Sequence, residues 1–242
     1  MMYELLELFN TLQGEGSTQG LPVTLIRFKN CNIRCPFCDT QNVMSQPTKQ
    51  FNINDIIRLS NVSRNLLITG GEPTLYINEI IDMLYQLYSR PDAKIPNKVI
   101  FETNGWKLDT LVKQIHNTDP LSRISKYVYS WSPKIWSAEL YDRAVDRLSL
   151  LAYFKNVEIK LVIDPANCEA EKKFIEMALM NGFDKWRIWL MPLGATHDEL
   201  MHNVYDVIQM AHEIGVNLSP RLHIVFGSNL DKYLNPKEKI IE

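Results

Sequence analysis

Short runs of β-branched and aromatic residues alternate along this chain with longer amphipathic stretches, and that rhythm limits the fold more than any other feature. The runs are "VTLIRF" (Val23–Phe28), "NLLIT" (Asn65–Thr69), "KVIFE" (Lys98–Glu102), "YVYSW" (Tyr127–Trp131), "VEIKLVI" (Val157–Ile163) and "RIWLM" (Arg187–Met191). Between the second and third, Ile80, Ile81, Leu84, Leu87 and Tyr88 recur at helical spacing over residues 77–88. Thr196 and Glu199 have the spacing of a capping box, opening a helix that Gly215 closes. Asn167 and Gly182 bracket another helix in the same way. Strands alternating with helices imply parallel strands joined by right-handed crossovers. About six such units predict an α/β fold, an open and incomplete (β/α)6-type TIM barrel with its active site at the C-terminal strand ends. No repeat, low-complexity tract or linker interrupts the pattern, so residues 1–242 read as one domain.

The segments after the strands fit that expectation. A cysteine-rich loop comes after the first, "GGEP" (Gly70–Pro73) after the second and "ETNG" (Glu102–Gly105) after the third. "SPK" (Ser132–Lys134) succeeds the fourth, and Pro192 the sixth. Polar loops are ordinary one at a time; five in the same register are not.

Charge and composition remove several function classes. The net charge is −2 and the pI about 6.2, so no basic field points to nucleic acid. No apolar run approaches the roughly 20 residues of a membrane span. The opening "MMYELLELFN" lacks the basic start of a signal peptide. Four cysteines, three of them clustered, do not make a secreted disulfide framework, and the chain reads as cytoplasmic.

Those three cysteines, in "NCNIRCPFCDT" (Asn30–Thr40), are Cys31, Cys35 and Cys38. A structural zinc usually takes four protein ligands, and the nearest histidine, His116, is remote in sequence, though a distant ligand could fold in. A disulfide would leave an odd thiol. A cuboidal 4Fe–4S cluster on three thiolates keeps one iron open to a substrate.

The arrangement C-x3-C-x2-C, with Phe37 before the last cysteine, resembles the signature of radical S-adenosylmethionine (SAM) enzymes. The resemblance implies a 4Fe–4S cluster on Cys31, Cys35 and Cys38 whose open iron binds SAM, cleaved by one electron to methionine and a 5′-deoxyadenosyl radical. Phe37 is similar to the aromatic neighbour of the SAM adenine. "GGEP" resembles the glycine-rich SAM segment, with Gly71 in it. Cys38, Asp39, Ser132, Pro133 and Lys134 are similar to further SAM contacts, as are Glu102 and Asn104.

"LFNTLQGEGSTQGLPVTLIRF" (Leu8–Phe28), "CNIRCPFCDT" and "FETNGW" together resemble one branch of that superfamily, the 7-carboxy-7-deazaguanine synthases. The likeness runs from about Leu5 through "SPK" and "MPL" at Met191. It implies ring contraction of 6-carboxy-5,6,7,8-tetrahydropterin to 7-carboxy-7-deazaguanine with loss of ammonia, as in queuosine biosynthesis. The radical takes the hydrogen at C6 and SAM is regenerated. Arg27, at a strand end, suits the substrate carboxylate because a guanidinium binds it bidentately; a surface salt bridge is the alternative. Leu12, Gln13, Gly14 and Thr69 are similar to the family's other substrate contacts. Thr40 is similar to the family's Mg²⁺ ligand, an oxygen donor of the kind that ion prefers, with a helix N-cap as the competing role. Membership also implies a homodimer and an electron donor such as flavodoxin or ferredoxin.

Two departures stand out. Asn30 replaces the glycine common before the first cysteine, and asparagine tolerates left-handed backbone better than most residues. Cys168 has no family role and reads as a small buried hydrophobe in the first turn of a helix. The alternatives are a glycyl-radical activase, which has no use for "TLQGEG" and Arg27 as a small-heterocycle pocket, and a zinc-binding module.

Overall fold

The computed structural model describes residues 2–36, 38–123 and 126–227. They form two compact units. The first takes in the chain up to Thr11 and Leu21–Tyr129. Its elements are β1 (Met2–Leu5), β2 (Glu7–Leu12), β3 (Pro22–Phe28), α1 (Gln41–Met44), β4 (Lys49–Asn52), α2 (Ile53–Ser63), β5 (Asn65–Gly70), α3 (Ile77–Ser89), β6 (Lys98–Thr103), α4 (Leu108–Asn117) and the start of β7 (Tyr127–Trp131). Strands run in the order β6-β5-β3-β2, with β5 parallel to both β3 and β6. A separate antiparallel ladder pairs β1 with β4, Met2 opposite Asn52.

Period two decides what each face of these strands does. Val23 and Leu25 of β3, Leu67 of β5 and Ile100 of β6 make one buried cluster, with Phe9, Leu21 and Val128 packed on it. The alternate residues Ile26, Leu66, Ile68, Val99 and Phe101 are fully buried as well. With both faces covered, the strands read as continuous apolar runs rather than alternating ones. Each such Ile or Leu contributes about 1.5–3 kcal/mol by leaving water. The cluster face ends in polar side chains: two residues beyond Leu25 comes Arg27, and two beyond Leu67 comes Thr69, its partner in register. α2 is delimited by local chemistry, a capping box of Asn52 with Asp55 at its start and Arg64 in left-handed geometry at its end.

The second unit comprises Leu12–Gly20 and the described residues from Ser130 on. It holds α5 (Ala138–Val145), α6 (Leu148–Tyr153), β8 (Val157–Ile163), α7 (Glu169–Met180), β9 (Ile188–Pro192), α8 (His197–Ile214), β10 (Asn217–Leu218) and α9 (Leu222–Val225). Its strand order is β10-β9-β8-β7, with β9 parallel to β8 and β10. Each unit is thus an α/β assembly on parallel strands, and neither strand order closes on itself.

The capping box of Thr196 with Glu199 opens α8, and Gly215 closes it at φ 77°. α7 starts later than its sequence signal. Asn167 lies in a short 3-10 turn capped by Asp164, and Cys168 is the N-cap, without a side-chain cap hydrogen bond. Cys168 itself is buried, as expected. Arg187 ends a 3-10 turn instead of opening β9, because its guanidinium is used inside the unit. It donates to the carbonyls of Val157, Ala152 and Phe154 and lies over the Phe183 ring.

Candidate active site

The three clustered cysteines lie on the loop between β3 and α1 and are free thiols. Local hydrogen bonds shape this loop. Ile33 N–H donates to Cys31 Sγ at 3.4 Å, and Cys38 N–H to the Cys35 carbonyl at 3.4 Å. The Gln41 side chain also donates to the Cys35 carbonyl. Desolvation pushes the Cys31 thiol up, Glu72 and the neighbouring thiols add to it, and the Ile33 amide pulls the other way. A metal taken up here must therefore displace a proton, as thiolate ligation generally does.

Segments distant in sequence clasp the root of the loop. Gly71 N–H donates to the Phe28 carbonyl and Glu72 N–H to the Asn30 carbonyl, at 3.1 and 2.8 Å. A Cβ on Gly70 would strike the backbone of Phe28, and one on Gly71 the backbone of Asn30. "GG" is required because two backbones touch here. Asn30 does not take the left-handed geometry its side chain would tolerate; among the described residues that geometry occurs outside glycine at Arg64 and Arg221. Its amide instead donates to the Tyr76 hydroxyl at 2.8 Å, and Tyr76 stacks on Phe28.

Glu72 ties the second strand end to the third. Its carboxylate is fully buried and accepts from Thr74 N–H, the Thr74 hydroxyl, the Thr103 hydroxyl and Asn104 N–H, at 2.6–2.9 Å. Four donors on the "GGEP" and "ETNG" segments and their neighbours offset the cost of burying that charge. Asn104, so held, donates to Asn32 Oδ1 at 2.9 Å and approaches Cys31 Sγ at 3.9 Å. The first unit thus brings Cys31, Cys35, Cys38, Gly71 and Asn104 into one hydrogen-bonded assembly.

Arg27 is largely buried and donates through Nε to Glu7 Oε2 at 2.5 Å. This is a part-buried ion pair between neighbouring strands, with the Glu7 side chain 31 % exposed. Thr69, beside it in register, is 7 % exposed. Thr40 stands at the N-cap of α1, yet its side chain makes no cap hydrogen bond; its Oγ1 lies 3.3 Å from Cys38 Sγ. Asp39 is exposed and Glu102 half-buried, and each has a partner in the fold. Phe37 lies outside the described residues.

Leu12, Gln13, Gly14 and the "SPK" turn belong to the second unit. Gly14 N–H donates to the Gln13 side chain, and the Gly14 and Gln13 carbonyls accept from Leu222 N–H and Gly20 N–H. Much of this loop's backbone is therefore committed within the loop or to residues 219–226. After β7, Lys134 Nζ donates to Ser132 Oγ at 2.9 Å, and Pro133 is buried.

Sequence reasoning missed Glu7, Glu72 and Tyr76, and a buried ionic group in the second unit. There Glu15 pairs with Lys160 at 2.7 Å and Arg221 at 3.2 Å, and Glu158 accepts from the Ser130 hydroxyl at 2.6 Å. One signal was available. Glu158 and Lys160 are charged residues at period two inside an apolar parallel strand, where water cannot be their partner.

Three soft sulfur donors on one loop, beside parallel strands of α/β units, suit an iron–sulfur protein of the single-cluster kind, and comparison supplies that class. The family described as "4Fe-4S single cluster domain" matches residues 12–129. A crystal structure of QueE from Escherichia coli has the same fold, with a TM-score of 0.55 and 18% identity over 90% of this chain and 93% of that one. The 7-carboxy-7-deazaguanine synthase of Halobacterium salinarum is 31% identical over 92% of this chain and 90% of its own length. That of Hyperthermus butylicus is 28% identical over 91% of each. The chain belongs to the 7-carboxy-7-deazaguanine synthase family, and is an enzyme.

Proposed function

We propose that this enzyme converts 6-carboxy-5,6,7,8-tetrahydropterin to 7-carboxy-7-deazaguanine with loss of ammonia, in queuosine-type 7-deazapurine biosynthesis. The observation that carries this reading is the placement of Arg27 and Thr69 side by side where the apolar strand face ends, with Arg27 four residues before Cys31. A carboxylate receiver then lies next to a metal-binding loop.

The residues present fit a 4Fe–4S cluster: three free thiols in one loop, soft donors, with the loop root clasped by "GGEP". Cys31, Cys35 and Cys38 would hold it, and with SAM it would supply a 5′-deoxyadenosyl radical. Cys38, Asp39, Gly71, Glu102, Asn104, Ser132, Pro133 and Lys134 are the residues proposed to meet SAM, with Phe37. Glu72 keeps Gly71 and Asn104 in place before SAM arrives, so no ordering is needed on binding.

For the substrate, Arg27 receives the carboxylate through its two Nη groups while Glu7 holds Nε, which fixes the plane of the guanidinium. Thr69 offers a hydroxyl, and Leu12, Gln13 and Gly14 are the residues proposed to meet the pterin edge. Thr40 would give an oxygen to Mg²⁺; a side chain not used as a cap suits that role. The same reading takes residues 1–242 as one radical SAM domain with an incomplete (β/α)6-type barrel and its site at the C-terminal strand ends. It takes the enzyme as a cytoplasmic homodimer reduced by a flavodoxin or ferredoxin. No helix among the described residues is long and apolar enough to cross a membrane.

Anaerobic incubation of the reconstituted protein with the carboxypterin, SAM, Mg²⁺ and a reductant tests the reading. Product with the mass of 7-carboxy-7-deazaguanine is expected. SAM cleavage without that product would overturn the substrate, and a colourless protein holding one zinc would overturn the chemistry.

A further inference from the structure

The second unit contains a charged group that neither the cluster nor SAM accounts for. Glu15 is 12 % exposed and faces two cations and an imidazole: Lys160 Nζ at 2.7 Å, Arg221 Nε at 3.2 Å and His223 Nε2 at 3.8 Å. Lys160 is 2 % exposed and Arg221 6 %, so both are out of water. Burial pushes the Glu15 carboxyl up, but the charges of Lys160, His223 and Arg221 outweigh it and hold it well below the ordinary carboxylate range. The carboxylate is ionised throughout the working pH range.

The group joins two segments 206 residues apart in sequence. One is the loop after β2, which carries Gln13 and Gly14 next to Leu12. The other is the stretch from Ser219 through α9. Around Glu15 the same two segments are hydrogen-bonded to each other. Gly16 N–H donates to Ser219 Oγ at 3.0 Å, and Leu222 N–H to the Gly14 carbonyl at 2.9 Å. The His223 ring packs on Gly14 so closely that a Cβ there would collide with it.

Arg221 bears the conformational cost. Its φ of 57° is in the left-handed region, unusual for arginine, at the first position before α9. Two bonds over-determine that geometry: Nε to Glu15, and Nη1 to the Gly194 carbonyl at 2.7 Å. Glu15 thus touches strand β8 through Lys160 and the stretch before α9 through Arg221, while standing in the loop itself.

We infer that Glu15 is a positioning residue for substrate recognition, an ionic clasp that holds the Leu12–Gly14 edge in its binding shape by tying it to Arg221 and α9. The inference rests on the proposed function, in which this edge meets the pterin. The clasp acts on the pterin and not on SAM, because the bonds named above hold the loop that carries Leu12–Gly14 and none of them reaches a residue proposed to meet SAM. Glu15→Gln keeps the volume and removes the charge. Arg221→Lys keeps the charge and removes the fork.

The experiment uses the reconstituted full-length enzyme. Pterin affinity and SAM affinity are measured for wild type, Glu15→Gln, Arg221→Lys and the double variant, with amide hydrogen exchange on each. Glu15→Gln is expected to weaken the carboxypterin about tenfold or more and SAM by less than about twofold. Exchange should rise in residues 12–20 and 219–226 and stay unchanged in β8. The double variant should lose no more than the worse single, since both break one clasp. Pterin affinity within about twofold of wild type, with unchanged loop exchange, overturns the inference. So does equal weakening of both ligands with faster exchange throughout β8, which marks a general structural role. If wild type does not bind the carboxypterin, the proposed reaction fails, and the exchange data still decide whether Glu15 holds the loop.

Discussion

Arg27 and Thr40 each have two roles open to them, and substitution separates the two. Arg27 is paired with Glu7 of the neighbouring strand, so removing it leaves a carboxylate without its cation. Arg27→Ala should weaken carboxypterin binding by roughly 2–5 kcal/mol and leave SAM binding nearly unchanged. Calorimetric titration of both ligands reads this, and equal losses would mean that Arg27 only shapes a shared cavity. Thr40 does not cap α1, so a capping loss of about 1 kcal/mol is not expected on Thr40→Ala. Turnover should instead lose most of its dependence on Mg²⁺, with Thr40→Ser retaining part of it. An unchanged Mg²⁺ response with a lowered melting temperature would make Thr40 a structural residue. Replacing Cys31, Cys35 or Cys38 by Ala should abolish iron binding and the brown colour, whereas Cys168→Ala, a change in the buried start of α7, should spare both.

At the scale of elements, Glu72 carries more than its neighbours. It joins the turn after β5 to the end of β6 through Thr103 and Asn104, and both are needed to present Asn104 to the cysteine loop. Glu72→Ala would leave three buried donors and one part-buried donor unsatisfied, at about 1–3 kcal/mol for each that water cannot reach. Urea unfolding should show a loss of at least about 3 kcal/mol, and iron uptake should become slower. A loss below about 1 kcal/mol would mean that water replaces the carboxylate. The capping boxes of α2 and α8 and the left-handed ends at Arg64 and Gly215 show how far local rules reach. Thr196, Glu199 and Gly215 are legible in order because a helix end satisfies its orphan groups from within three or four residues. α7 escaped the same rule: a 3-10 turn consumed Asn167, and Asp164 supplied the cap.

At the scale of the whole molecule, charge placement sets the response to acid. The Glu15 carboxyl lies below its ordinary value of 4.5 in the folded state. A depressed value stabilises the fold fully above the unfolded value and loses that contribution as pH falls toward the folded one. Wild type should therefore exceed Glu15→Gln in urea midpoint at about pH 7, with the gap shrinking as pH falls below about 4.5. A constant gap from about pH 6 to about pH 3.5 would show that the pair contributes no linkage. The strand and helix rhythm, the cysteine loop and the glycines of "GGEP" could be read from the chain alone. Hydrophobic periodicity, capping and close ligand spacing are local properties, complete within a few residues. The pairing of Arg27 with Glu7, of Glu72 with Thr103 and Asn104, and of Glu15 with Lys160 and Arg221 could not. With 28 acidic and 26 basic residues, the sequence does not say which charge meets which. Only the folded strands bring those partners together, and only burial makes each pairing obligatory.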